Sequence, residues 1–150
     1  MYVLDTDVLS LTNAATGYDT DAVAAWRSWV QDNSDALYLS VVTLMEVRFG
    51  IEKCRARGAT TKAEALRKWL ASAETVHRNR IVPASAEIAH EAGALLWGAV
   101  ASGASPSTED ALVAATAAIK GFTVLSRNGR HMRALKAVWL DPLETVPPCA

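Results

Sequence analysis

Short apolar runs alternate with longer helix-like stretches along the chain, and no other feature constrains the fold as much. Tyr2-Val3-Leu4, Leu37 to Val42, Arg80-Ile81-Val82-Pro83 and Phe122 to Leu125 have strand length, and Val138-Trp139-Leu140 is a candidate fifth. These runs are largely continuous in apolar character rather than alternating. A strand apolar on both sides must be covered on both sides, which is the situation of a parallel sheet flanked by helices. Between the runs, spacing predicts helices. Val23, Trp26 and Val30 share a face over 21–31. Leu44, Val47 and Ile51 recur at helical spacing in a helix that stops near Gly58. Leu66 and Leu70 point inward from 60–73, and further helices are expected over 85–100 and 106–119. Gly121 is placed to close the last of them as a left-handed cap. The expectation is an α/β fold with a mainly parallel central sheet of four to five strands.

A length of 150 residues suits one domain, expected over 1–150 with an irregular tail from about 145 that contains Pro147-Pro148. Such a chain can bury roughly 68–70% of the surface its unfolded form exposes, so it needs no disulfide staples. Fifteen basic residues face sixteen acidic ones, a net charge of −1. That excludes a general basic coat for duplex DNA but leaves room for local basic patches. Cys54 and Cys149 make neither a zinc site nor a disulfide framework, which fits a reducing cytoplasm. The opening Met-Tyr-Val-Leu-Asp has no signal-peptide character. The longest apolar stretch, Ala92 to Ala101, falls far short of the ~20 residues of a membrane span.

In parallel sheets, sites form at the carboxyl ends of the strands. Asp5 immediately follows the first strand and Asp7 lies two residues on. Glu46 falls in the first turn after the second strand, and Asp110 in the first turn of the helix that begins near Pro106. The matching place after Phe122–Leu125 reads Ser126-Arg127-Asn128 and carries no acid. Each acid has a capping explanation. Thr43 and Glu46 fit a capping box, Glu109 and Asp110 would sit at the positive end of a helix, and Asp5 or Thr6 could be an N-cap. Taken together, the acids would converge in one crevice and repel one another. Either some take up protons or a cation neutralises them. Magnesium binds a few carboxylates, keeps several waters and engages phosphates, so the implied chemistry is phosphodiester hydrolysis.

Four ordered segments carry a family resemblance. Tyr2-Val-Leu-Asp5-Thr-Asp-Val-Leu-Ser10 resembles the opening of PIN-domain nucleases. Leu39-Ser-Val-Val-Thr-Leu-Met-Glu46-Val-Arg-Phe-Gly-Ile51 resembles their second motif, as found in VapC toxins of bacterial toxin–antitoxin pairs. Ser107-Thr-Glu-Asp110-Ala-Leu-Val-Ala-Ala-Thr-Ala117 and Gly121-Phe-Thr-Val-Leu-Ser-Arg-Asn128 resemble the third motif and the start of the fourth. Asn79-Arg80-Ile-Val-Pro83 and Ile88-Ala-His-Glu-Ala-Gly93 resemble the segment between them, in the manner of the FitB-like branch. The resemblance implies a three-layer α/β/α domain and a toxin that is a Mg²⁺-dependent endoribonuclease, with Mn²⁺ as substitute. It also implies inhibition by a cognate antitoxin, a homodimer, and contact with DNA only through that antitoxin. By position it makes Asp5, Glu46 and Asp110 the acids of the site. Asp5 and Asp110 would be direct metal ligands, and Glu46 would ligate a second ion or orient the attacking water. The fourth motif departs from the pattern, because family members usually offer an acid either where Asn128 stands or a few residues later, and here the run Ser126-Arg-Asn128-Gly-Arg-His131-Met132 has none. Asn128 can hold a water or ligand oxygen through its amide but adds no charge, so one ordered Mg²⁺ is expected.

Arg48, Arg127 and Arg130 are candidates for RNA backbone contact, with Arg133 and His131 in the same cluster; the alternatives are an ion pair for Arg48 and a solvated basic face for the others. His77 and His90 fall outside the motifs and are expected to be surface or half-buried residues rather than ligands. Thr6 could line the site, whereas Thr116 is expected to pack within an Ala-rich helix. Trp26 and Trp29 belong either to the core or to a partner groove, with the core favoured. Two further readings stand beside the ribonuclease: a catalytically weak or inactive binding and assembly module, and a DNA nuclease of related fold.

Overall fold

The computed structural model describes residues 1–149, and in it the alternation resolves into one sheet between two helical layers. Strands β1 (Tyr2–Leu4), β2 (Leu37–Ser40), β3 (Ile81–Val82), β4 (Thr123–Leu125) and β5 (Trp139–Leu140) pair in the order β3-β2-β1-β4-β5. Every pair is parallel. The helices are α1 (Thr6–Ser10), α2 (Asp21–Asp32), α3 (Val41–Ala56), α4 (Thr60–His77), α5 (Ala86–Ala101), α6 (Thr108–Lys120) and α7 (Gly129–Ala134). The chain builds outward from β1 to β3 and then crosses to the other side of β1 for β4 and β5. That reversal opens a crevice at the carboxyl ends of β1 and β4.

Side chains one residue apart on a strand point to opposite faces. Tyr2, Leu4, Leu37 and Leu39 therefore meet Leu9, Trp26, Ile51 and Leu70 from α1–α4 in one core. Val3, Val82 and Val124 meet Ile88, Ala114 and Met132 from α5–α7 in the other. The expected α/β/α layering is the observed one. Buried Ala111, Ala114 and Ala115 let α6 lie close to its neighbours, while Ala118 is exposed. Trp26 and Trp29 stack with ring centroids 5.5 Å apart, and Tyr2 meets Trp29 edge-on at 5.6 Å. Both tryptophans are buried, so they are core rather than groove residues.

Several boundaries differ from expectation for local reasons. β2 ends at Ser40 because the Ser40 hydroxyl oxygen accepts from the Val42 N–H and caps α3. Thr43 is thus inside the helix, where its hydroxyl donates to the Leu4 carbonyl, and there is no Thr43–Glu46 capping box. α4 continues four residues beyond the expected end and buries His77 more deeply than the surface or half-buried place expected of it. The His77 Nδ1 is 3.2 Å from the Leu37 carbonyl, and burial holds the ring below its ordinary pKa. His90 is exposed, as expected. α6 is capped by Ser107, one residue after Pro106. Gly121 adopts φ 68° and caps α6 as its position suggested. α7 was not foreseen, since six residues hold too little periodicity to read. Residues 146–149 form no regular element, yet Pro147 is buried and the Tyr2 hydroxyl donates to the Pro148 carbonyl. Ala150 lies outside the described residues.

Gly129 opens α7 with no room for a side chain. A Cβ there would stand 2.3 Å from Cη2 of Trp139. Gly129→Ala should therefore lower stability by about 2 kcal/mol through overpacking. Urea denaturation followed by tryptophan emission checks this, and an unchanged midpoint would refute the packing account.

Candidate active site

The register of β1 with β4 sets Leu4 beside Leu125, so the residues that follow, Asp5 and Ser126, emerge side by side. The Asp5 N–H donates to the Leu125 carbonyl at 2.9 Å. Oδ1 of Asp5 accepts from the Thr6 N–H at 2.8 Å and caps α1, and Oδ2 accepts from the Ser126 hydroxyl at 2.6 Å. Asp5 is buried, and burial raises its pKa. The Ser126 and Thr6 bonds pull it back, the charge of Asp110 raises it further, and His131 opposes that.

The Thr6 hydroxyl spans to α3, where it donates to Oε2 of Glu46 at 2.5 Å. Burial raises the pKa of Glu46, and the Thr6 bond lowers it; the charges of Asp5, Glu109 and Asp110 add to the rise. Asp110 completes a capping box with Ser107 and accepts at Oδ2 from the Ser107 N–H at 3.0 Å. The same oxygen lies 2.8 Å from Nδ1 of His131. Asp5 and Asp110 thus cap their helices and still face each other's charge across the crevice. Asp7 accepts from the Arg127 N–H at 3.1 Å through Oδ2, while among the described residues its buried Oδ1 has no partner at hydrogen-bond geometry, although the Val8 backbone also lowers its pKa. Burial first, and the charge of Asp5 second, push its pKa up to about 6.

Asp5, Glu46 and Asp110 therefore reach one crevice, within repulsive range of one another. Among the described residues, neither arginine nor lysine forms an ion pair with any of the three. Asn128 approaches Nδ1 of His131 at 2.8 Å, and its N–H donates to the Ser126 hydroxyl. Arg127 and Arg130 are exposed at the rim. Arg133 departs from the expected cluster. It donates to the Gly129 carbonyl and lies over the Trp139 ring, 5.8 Å from its centroid. Arg48 pairs with Glu52 at 2.7 Å, the ion-pair alternative. Thr116 donates to the Leu112 carbonyl and packs within α6. Sequence reasoning missed Ser126 as the holder of Asp5 and missed Glu109 as a contributor to the charge. The place of Ser126 right after β4, matching that of Asp5 after β1, was the available signal.

The donor set is one of hard oxygens that repel one another, with an orphaned buried oxygen on Asp7. That suits a hard divalent cation. Among the described residues, no three His, Cys, Asp or Glu side chains form a ready-made cage. Mg²⁺ needs no such cage, because it takes one or two carboxylates and keeps several waters. A cavity of about 480 Å³ adjoins the crevice and is lined by Thr6, Tyr18, Glu46, Lys62 and Trp69 among others.

The family model of the PIN domain matches residues 2–137, and the chain belongs to that family. Its fold is similar to that of FitAcB from Neisseria gonorrhoeae, with a TM-score of 0.78, 25% identity, and coverage of 95% of this chain and 98% of that one. It is also similar to VapBC2 from Rickettsia felis, bound to a DNA fragment from its promoter, with a TM-score of 0.69, 17% identity and coverage of 93% and 96%. A toxin–antitoxin complex from Klebsiella pneumoniae shows the same fold, with a TM-score of 0.57, 19% identity and coverage of 95% and 98%. No curated protein matches the chain significantly. Among the described residues, no helix is long and apolar enough to cross a membrane.

Proposed function

We propose that this chain is the toxin of a toxin–antitoxin pair: a Mg²⁺-dependent endoribonuclease, active also with Mn²⁺, that a cognate antitoxin inhibits. The observation that carries this reading is the convergence of Asp5, Glu46 and Asp110 without an arginine or lysine to neutralise them. PIN-family membership and the likeness to FitAcB support it.

Asp5 and Asp110 would hold the cation. A bound divalent ion supplies positive charge against the phosphate oxygens and the charge that develops in the transition state. Ser126 and Thr6 keep the Asp5 carboxylate aimed into the crevice. Glu46, with a pKa raised by burial, receives the proton of the attacking water. That water attacks phosphorus and the departing oxygen leaves opposite, with no covalent enzyme intermediate. Asn128 orders a water or substrate oxygen beside His131, and Arg127 and Arg130 meet RNA phosphates at the rim. Arg48, two residues past Glu46 on α3, faces a groove shared with Arg67 and Glu74 and pairs with Glu52, so it stands apart from that rim. A homodimer belongs to the same reading, because exposed Phe49 on α3 and Trp97 on α5 are aromatic surface of the kind subunit contacts cover. So does a cytoplasmic location, with DNA met only through the antitoxin.

One observation favours a second reading, a weakly active binding module. The α7 edge of the crevice offers Asn128 and His131 and no carboxylate. The test is cleavage of single-stranded RNA, structured RNA and DNA at millimolar Mg²⁺ or Mn²⁺, alongside growth of bacteria that express the chain without an antitoxin. RNA cleavage abolished by EDTA, together with growth arrest, is the expected result. Cleavage of DNA alone would replace the substrate class, and no metal-dependent cleavage would leave the binding module.

A further inference from the structure

We propose that His131 is a positioning residue for Asp110: its Nδ1–H, the tautomer consistent with the Arg130 contact at Nε2, occupies Asp110 Oδ2 and leaves Oδ1 as the oxygen that faces a cation, so that the crevice takes one divalent ion. This rests on the metal-dependent reading above.

The proton's location follows from Arg130. A guanidinium has donors only. Nη2 of Arg130 lies 3.2 Å from Nε2 of His131, so Nε2 accepts there through its lone pair. The ring N–H is then on Nδ1, 2.8 Å from Oδ2 of Asp110. Asn128 also approaches Nδ1 at 2.8 Å, and the amide orientation consistent with that proton presents the Asn128 oxygen. Oδ2 of Asp110 already accepts from the Ser107 N–H, so two donors saturate it. Among the described residues, no protein donor reaches Oδ1.

The same short helix is tied to the second carboxylate. The Asn128 N–H donates to the Ser126 hydroxyl, which itself donates to Oδ2 of Asp5. α7 therefore orients both Asp5 and Asp110 while contributing no negative charge of its own. A second divalent ion would find only the neutral groups of Asn128 and His131 on that edge. His131 fills the space beside Asp110 on that edge.

The test is Mn²⁺ binding to the metal-free full chain, followed by calorimetry and by the electron spin resonance of free Mn²⁺. The wild type should bind one ion. His131→Ala should weaken binding about 10–100-fold, as loss of a partner to a ligand does. His131→Asn retains an N–H near the place of Nδ1 and should restore most of the affinity, which a purely space-filling role would not explain. His131→Asp should raise the stoichiometry to two. Two ions in the wild type, or wild-type affinity in His131→Ala, overturns the assignment of His131. If His131→Ala fails to fold, the Asn and Asp variants decide alone: unchanged stoichiometry in His131→Asp counts against the proposal. No Mn²⁺ binding by the wild type at millimolar concentration removes the metal-dependent reading itself, a result distinguishable from failure of the His131 assignment.

Discussion

Asp5→Asn should reduce RNA cleavage by on the order of 10³-fold, equivalent to about 4 kcal/mol of barrier, while the metal-free protein stays as stable as the wild type or becomes more so. The substitution keeps nearly everything structural. The amide oxygen can still accept from the Thr6 N–H, and Asn caps helices about as well as Asp. The Ser126 hydroxyl can turn to accept where it now donates. What disappears is a buried negative charge that burial and Asp110 already disfavour. Without a cation that charge is a liability to the fold, and with one it is a ligand. Cleavage assays in Mg²⁺ and urea denaturation in EDTA measure the two halves separately. A variant that is inactive because it is unfolded would mean that Asp5 serves the fold as a helix cap and nothing more.

Asp7→Asn should show the opposite balance, with a large gain in stability that depends on pH. A carboxyl whose pKa rises from 3.8 to about 6 on folding favours the folded state only while protonated. Its contribution is fully present below pH 3.8 and is lost as pH rises through about 6. At pH 8 the charged form costs the fold about 3 kcal/mol. Asn keeps an oxygen to accept from the Arg127 N–H and replaces the orphaned charged oxygen with a neutral group. In EDTA, the variant and the wild type should therefore be nearly equal at pH 4, separate as pH rises through about 6, and stay apart up to pH 8. His77 does not disturb the comparison. Its lowered pKa makes stability fall as pH drops below 6.5, equally in both proteins. A constant difference across pH would show that Asp7 is not protonated in the folded chain.

The two acids illustrate why the candidate site was only partly legible beforehand. Asp5 and Asp110 could be located because strand ends and helix starts have local signatures, and Ser107 with Asp110 forms the capping box that its spacing allows. The spacing puts Glu46 on the right helix but suggests the wrong cap. Ser40 rather than Thr43 caps the helix, so Glu46 is free of capping and available to the Thr6 hydroxyl. The arginines show the limit of sequence proximity. Arg130 and Arg133 sit three residues apart on one short helix, yet one meets His131 and the other covers Trp139. A helix of six residues offers no periodicity from which that divergence could be read.

What the chain's own order of residues determined is the layering and the placement of acids along it. Apolar runs of strand length, helical spacing between them, and capping residues at the junctions are local properties, and each is physically sufficient over a few residues. What only the folded structure decided is which distant groups touch. Thr6 meets Glu46 across 40 residues, and Ser126 meets Asp5 across 121. Those contacts depend on β4 pairing beside β1 in a particular register, a choice made by two cores closing together on opposite faces of the sheet.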